Sequence, residues 1–315
     1  MMDAKALLDR FQRASGGVPV ALVLKRYRAI VGPQYARVPA VQDALEALRN
    51  GQVPTPTQLA ALEEAIRTLR PALLFEAGQL ADLSDDGRGA FPGWGALRAA
   101  VARHVYAIGR IDGPMGPTGD VPSFGTGFLV AEDVLITNRH VLWALASGTD
   151  ALEKGQAYIC FGQEASTFET EGPVPIVGVI ATHPSADITL LRLVKPAARV
   201  GRAPLAIDDR ALGVGTAVAA VGYPFPDGER NPAFVSAAFG SKFGVKRGSP
   251  GEVIGGEGGS IYHDCSTLGG NSGSPLLALD TASVVAVHCR GGFATRNEAV
   301  SGAVLAGFVK QTLAA

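Results

Sequence analysis

The sequence is short of cysteine, of charge and of long apolar runs, and each shortage excludes something. Three cysteines in 315 residues, Cys160, Cys265 and Cys289, are an odd number with no CxxC or metal-type spacing. That count argues against a disulfide framework and for free thiols in a reducing compartment, although Cys265 and Cys289 could still approach one another in the fold. Charged residues make up 18% of the chain and the formal net charge is −1, with no basic tract. Nothing therefore points to nucleic acid or to an anionic membrane surface. No apolar run approaches the ~20 residues of a membrane span. The opening stretch, MMDAKALLDRFQRASGG, lacks the basic cap, long apolar core and small-residue cleavage site of a signal peptide, so a cytoplasmic protein is expected. The five histidines, His104, His140, His183, His263 and His288, lack metal-ligand spacing, and neither a metal nor another cofactor is expected.

What is there divides the chain in two. The 315-residue length suits one large domain or two ordinary ones, and apolar residues at 47% mark a globular chain. Residues 1–76 read as a small all-α bundle of about four helices. AKALLDRFQRA places Leu7, Leu8 and Phe11 on one face. VQDALEALR stops at Asn50-Gly51. A third helix starts at Thr55, where Pro56 suits the first helical position and Gln58 completes a capping pair. Its apolar stripe is Leu59, Leu62, Ile66 and Leu69, and Pro71 ends it. Residues 77–96 lack periodicity and read as a linker, with an ordered loop as the alternative for the Phe91–Trp94 end. From 97 to 315 the texture changes to short Val/Ile/Leu-rich runs cut by Gly, Pro, Asp and Asn. A short helical lead-in comes first and a terminal helix closes the chain. That pattern is all-β, a sandwich or barrel, and the lack of long helices between the runs argues against a parallel sheet.

One stretch, LGGNSGSPLL at 268–277, crowds three glycines and two serines before an apolar run. A serine hydroxyl is a weak nucleophile unless a base lies within hydrogen-bond reach and a carboxylate orients that base. It also needs backbone N–H groups aimed at the developing oxyanion, and small residues let the chain turn sharply enough to aim them. Gly270 and Ser272 could supply two such groups from one loop. His140 ends the strand-like run GTGFLVAEDVLITNRHV. Asp187, in HPSADITLLRL, sits immediately before an apolar strand. The order His, Asp, Ser suits a pair of barrels that share a cleft.

GTGFLV with LITNRHV, ADITLLRL and GGNSGSP resemble the three catalytic blocks of chymotrypsin-like serine peptidases, over roughly residues 100–310. The resemblance implies an all-β double barrel, with His140 as general base, Asp187 as its orienting carboxylate and Ser272 as nucleophile. It places the oxyanion hole at the N–H groups of Gly270 and Ser272. Ser274 is read as structural. Within that clan the wording TNxHV and GNSGSP is similar to bacterial glutamyl endopeptidases. Asn271 replaces an aspartate that, in pancreatic-type enzymes, pairs with a newly cut N-terminus, which suggests that no activation cut is needed here. The same likeness implies that Thr267 and His288 line an S1 pocket for an acidic side chain, with Arg290 adding positive potential. A protonated His288 would make that preference fade as pH rises; the alternative is a core histidine with Thr267 merely packing. His183 reads as a surface residue, His263 as a satisfied structural one, and His104 has no partner motif.

The helices ahead of the barrels resemble the effector-associated adaptor domains of bacterial conflict systems, with an inhibitory propeptide as the competing reading. The adaptor reading implies a protein partner bound through the helices, and a chain beginning near residue 97 that folds unaided. The expectation overall is a serine endopeptidase acting on a protein or peptide, with no nucleic acid and no membrane. The alternatives are a catalytically silent scaffold of the same fold and a quality-control protease.

Overall fold

The structure is a computed structural model that describes residues 4–15, 18–33, 35, 37–82, 93–165, 172–226, 228, 231–292 and 296–314. Four helices come first: α1 (Ala4–Ala14), α2 (Val20–Val31), α3 (Arg37–Arg49) and α4 (Pro56–Leu69). The capping pair forms as its chemistry dictates. The Gln58 side chain accepts from the Thr55 N–H at 2.8 Å, and the Thr55 hydroxyl accepts from the Gln58 N–H. Phe11, Tyr27, Val41, Leu45, Leu62 and Ile66 are buried in a core that belongs to the helices alone.

The helical pattern stops earlier than residue 76. Leu73–Glu76 form strand β1 and Gln79–Leu80 form strand β2, joined at Ala77 and Gly78 with φ of +49° and +76°. Two positive φ values make the tight turn that matches strand twist, but Ala-Gly lacks the usual Asn or Asp signal. Pro71 ends α4, and the chain then alternates, with Leu73 and Phe75 buried and Glu76 exposed. Of the expected linker, residues 83–92 lie outside the described residues. Helix α5 (Trp94–Val101) follows and packs Trp94 and Leu97 into the main core.

Two antiparallel barrels make up the rest. The first contains β3 (Ile108–Asp112), β4 (Ser123–Ala131), β5 (Val134–Thr137), β6 (Ala157–Cys160), β7 (Val174–Thr182) and β8 (Thr189–Leu193). They close in the order β3-β4-β5-β8-β7-β6, and a short helix α6 (Arg139–Leu145) follows β5. The second contains β9 (Ala217–Gly222), β10 (Arg247–Glu257), β11 (Ser260–His263), β12 (Pro275–Ala278), β13 (Val284–Gly292) and β14 (Arg296–Ser301). Its circuit runs β9-β10-β11-β14-β13-β12 and back to β9. Helix α7 (Pro232–Phe239) sits between β9 and β10, and α8 (Gly302–Leu313) ends the chain. The β1–β2 hairpin joins this second sheet, since Leu73 pairs with Gly248 and Leu74 with Arg247 at the start of β10.

Alternation decides what each strand of the second barrel buries. Val218 and Ala220 of β9 face one cluster with Val253, Cys265 and Leu276. Ala219 and Val221 face the other way, into the large core shared with the first barrel. The double barrel preceded by helices is therefore the observed architecture.

Candidate active site

The register of the first barrel brings His140 to Asp187. β5 and β8 are antiparallel, and their last paired residues at one end are Thr137 and Thr189. The chain leaves β5 there and reaches His140 three residues on. It enters β8 there from Asp187, two residues before. Both side chains must emerge at one end of the barrel. His140 Nδ1 lies 2.7 Å from Asp187 Oδ2, and the His140 backbone N–H donates to Asp187 Oδ1 at 3.0 Å. A carboxylate so placed holds the imidazole proton on Nδ1 and leaves Nε2 facing outward. Asn138 fixes the frame by donating from Nδ2 to the Asp187 carbonyl at 2.7 Å.

Ser272 comes from the second barrel, in the loop that precedes β12. Two glycines make the turn. Gly270 and Gly273 both have φ of +86°, and a Cβ on either would lie 2.2 Å from the Tyr223 carbonyl or 2.0 Å from the Thr126 carbonyl. No other residue fits at either position. The loop is anchored on both sides. The Thr126 N–H donates to the Ser272 carbonyl at 2.8 Å, and the Thr126 hydroxyl donates to the Gly270 carbonyl at 2.8 Å. The Gly273 N–H donates to the His288 carbonyl at 2.9 Å.

These bonds leave two N–H groups over. Asn271, Gly273 and Ser274 all donate within the loop or to β13, whereas the N–H groups of Gly270 and Ser272 meet no acceptor among the described residues. Gly269 accepts from the Phe225 N–H at 2.7 Å. A trans peptide points its C=O and N–H in opposite directions, so the Gly270 N–H faces away from Phe225. Two uncommitted N–H groups, one on Ser272 and one two residues before it, are a donor pair of the kind that can stabilise an oxyanion. The Ser272 hydroxyl itself donates to the Cys289 carbonyl at 3.3 Å. His140, Asp187, Ser272, Thr267, Gly269 and His288 all line one cleft of about 500 Å³.

The S1 candidates are brought to this cleft, but not in the state the sequence reading expects. His288 is 2% exposed and its Nδ1 lies 3.1 Å from Nε2 of His263, which is fully buried. Burial, then the neighbouring His263, pushes the His288 imidazole well below its ordinary value. Burial likewise pushes His263 down to about 3. Both rings are neutral at physiological pH, so His288 has no charge to offer a carboxylate. His263 Nδ1 has no partner among the described residues. A buried orphan acceptor costs less than a buried orphan N–H, so the His263 proton sits on Nε2 and is donated to His288 Nδ1. His288 then keeps its own proton on Nε2. Thr267 donates its hydroxyl to Asn297 Oδ1 at 3.0 Å and is not poised to donate elsewhere. Arg290 is paired with Glu298 at 2.9 Å on the surface.

The remaining sequence readings divide. Ser274 is buried and structural, and its hydroxyl approaches Asn271. Asn271 is buried and donates to the Leu268 carbonyl at 3.3 Å. His183 is not a free surface residue: its Nδ1 accepts from the Ala186 N–H at 2.8 Å, and its ring packs edge-on against Phe308 at 5.1 Å. It shapes the turn that delivers Asp187. All three cysteines are free and buried, Cys265 and Cys289 included. Among the described residues no three His, Cys, Asp or Glu side chains converge as a metal site. Thr126, Asn138 and His263 were not expected at the site. The first two lie inside the GTGF and TNRH blocks, so their motifs carried the signal; His263 carried none, because only the fold brings its side chain on β11 against that of His288 on β13, with β14 between the two strands.

The model of the trypsin-like peptidase domain family matches residues 125–287, just over half of the chain. No curated protein matches it. Among solved structures the chain is similar to the serine endoprotease from Yersinia pestis, at 15% identity and a TM-score of 0.48, over 69% of this chain and 66% of that one. It is also similar to the inactive form of the Rv3671c protease of M. tuberculosis, at 18% identity and a TM-score of 0.45, over 68% of this chain and 92% of that one. The chain thus spans about two thirds of the length of the Yersinia protein.

Proposed function

The chain belongs to the trypsin-like peptidase domain family, and from that premise we propose that it is a serine endopeptidase that works through an acyl-enzyme on Ser272. In this reading the Ser272 hydroxyl turns from the Cys289 carbonyl toward His140. Its oxygen attacks the scissile carbonyl while His140 Nε2 takes its proton. Asp187 keeps the imidazole in the required tautomer and stabilises the imidazolium. The N–H groups of Gly270 and Ser272 receive the oxyanion. His140 then gives its proton to the departing amine, and a water repeats the sequence to release the acid. The observation that carries this reading is the convergence on one serine of a carboxylate-bound imidazole and two uncommitted N–H groups.

Substrate preference is the finer part of the proposal. Cleavage after acidic residues is supported by the neutral His288 at the cleft and by the absence, among the described lining residues, of any carboxylate other than the partly exposed Asp187. Because the donor is neutral, the preference belongs to a hydrogen bond rather than to a charge. The helices α1–α4 are read as an adaptor that recruits the enzyme to a protein partner in the cytoplasm, as in a bacterial conflict system. None of their residues lines the cleft, which favours this reading over a plug-like inhibitory propeptide. No helix among the described residues is long and apolar enough to cross a membrane.

A fluorophosphonate probe tests the core of the proposal. The intact chain is expected to be labelled, with the adduct mapping to Ser272 by mass spectrometry and no labelling of Ser272→Ala. A folded parent that resists the probe would leave the silent-scaffold reading in its place.

A further inference from the structure

The extended segment 264–268, which links β11 to the Ser272 loop, has two different sides. Cys265 points into the second-barrel core and Thr267 toward the cleft. Asp264 and Ser266 point to the helices and to the segment that follows them, while Leu268 lines the cleft on one side and packs on Ala72 and α7 on the other. Asp264 is fully buried and receives two guanidinium groups. Arg10 of α1 reaches Oδ2 through Nη2 at 3.0 Å, and Arg70, just past α4, reaches the same oxygen through Nη1 at 3.0 Å. The Ser266 hydroxyl donates to the Arg70 carbonyl at 3.1 Å. Leu268 packs with Ala72 and with Phe234, Val235 and Phe239 of α7. Contacts at every second residue of an extended chain mean that one whole side is gripped.

The grip is built for rigidity. Arg10 is 2% exposed and is held in turn by Glu63 of α4, with Nη2 donating to Oε2 at 2.6 Å. The other Asp264 oxygen accepts from the Glu252 N–H of β10 at 2.6 Å. Arg13 pairs with the Glu252 side chain at 3.0 Å. The Ala72 N–H donates to the Ala238 carbonyl of α7 at 2.7 Å, and Arg247 donates to the Ala72 carbonyl at 2.6 Å. Burial alone would raise the Asp264 carboxyl, but Arg70 and Arg10 outweigh it and hold the group below the usual carboxylate range. It stays ionised, and a buried ionised group keeps its place only while its partners keep theirs.

We infer that Arg10 and Arg70 are positioning residues of the active site, through which the N-terminal helices fix the 264–268 segment and so the Thr267 wall and the Gly270–Ser272 loop. The inference rests on the serine-peptidase reading of Ser272. It makes the helices part of the catalytic unit rather than a detachable module. A partner that shifts α1 or the end of α4 would act on the nucleophile loop without entering the cleft.

Fluorophosphonate labelling rates of the full chain, measured well below the melting temperature, test it. Arg70→Gln is expected to label at least tenfold more slowly than the parent while keeping its circular dichroism spectrum. Arg70→Lys, which keeps a cation beside Asp264, is expected to recover to within about threefold of the parent. Arg192→Gln, which breaks an ion pair on the first barrel, serves as the control and is expected to label at the parent rate. A folded Arg70→Gln chain that labels as fast as the parent overturns the inference and leaves the peptidase reading intact; a parent that does not label overturns that reading itself. Hydrogen exchange on the intact parent covers the case in which Arg70→Gln does not fold. The Asp264 and Asn271 amides should open together with α1 and α4 as one unit. Helices that open alone, with those amides still protected, overturn the inference without any variant.

Discussion

The bonds that align His140 with Asp187 lie within three residues of one rung of the first barrel, Thr137 paired with Thr189. Ser272, in the second barrel, is held from much farther off. Its loop hangs on Thr126 of the other barrel, on Phe225 ahead of α7 and on His288 of β13. Behind it, segment 264–268 leans on Arg10 and Arg70 of the helical region. One half of the site is set by local register and the other by contacts made across the whole chain. The second half is therefore where changes outside the cleft will be felt.

The sharpest way to break that contrast is to damage each half at one atom. Asp187→Asn can no longer hold the His140 proton on Nδ1, and kcat should fall by roughly 10⁴-fold with stability little changed. Gly270→Ala adds a Cβ that would meet the Tyr223 carbonyl at 2.2 Å, at a φ that alanine avoids. The loop must move, the Gly270 N–H with it, and kcat should fall by about 10²- to 10³-fold. The second change should also shift the protection of amides beyond the loop, because that loop is coupled to distant elements. Steady-state kinetics with hydrogen exchange reads both. If Gly270→Ala disturbs only its own loop, the long-range account of the second half is wrong.

The same contrast explains what could be read from the sequence. The double barrel, the helical region and the blocks that meet at the candidate site were legible because each depends on neighbours in sequence: strand-length apolar runs, a Thr55–Gln58 cap, a Gly-rich turn. The β1–β2 hairpin was not, because its Ala77-Gly78 turn lacks the usual residues and its partner β10 lies some 170 positions away, at Arg247 and Gly248. The independence expected for a chain beginning near residue 97 conflicts with that hairpin, whose Leu73, Phe75 and Leu80 are buried in the main core. Asp264 looked like any charged residue, and nothing local marked it as the receiver of Arg10 and Arg70. The neutral state of His288 was illegible for the same reason, since its cause is burial beside His263.

Acid should expose the difference between the halves on a smaller scale. His263 has a folded value near 3 and His288 one well below 6.5, whereas both would titrate at about 6.5 in the unfolded chain. Between those limits the unfolded chain binds more protons, so stability falls as pH drops below about 6.5. Each histidine adds a slope of up to about 1.4 kcal/mol per pH unit. Asp264, held low by its arginines, adds its own loss only below about pH 4. Urea titrations at pH 7.5, 6 and 5 should show the decline, and His263→Gln should lessen it by the share of that one histidine, leaving the slope of the still-buried His288. A parent whose stability is level from pH 7.5 to 5 would show that the buried pair is not neutral as described.

The smallest expected effect lies at P1, where a charged S1 pocket and a neutral one make different forecasts. A protonated His288 would favour Glu strongly at low pH and lose that preference as the proton left. A neutral His288 offers one N–H at every pH above its depressed value, and Thr267 adds none while it donates to Asn297. A single neutral donor still favours a carboxylate over an amide, because a hydrogen bond to an ionised acceptor is the stronger one. The margin should be about tenfold in kcat/KM for Glu over Gln, which corresponds to about 1.4 kcal/mol. It should also hold steady from pH 6 to 9, whatever the absolute rates do across that range. Paired peptides differing only in Glu or Gln at P1, run across that range with the parent and with His288→Ala, give the ratio directly. His288→Ala should bring it close to one. A ratio that collapses with rising pH would return the charge to His288, and a preference for Arg, Lys or a large apolar side chain would remove the acidic assignment from the second barrel altogether.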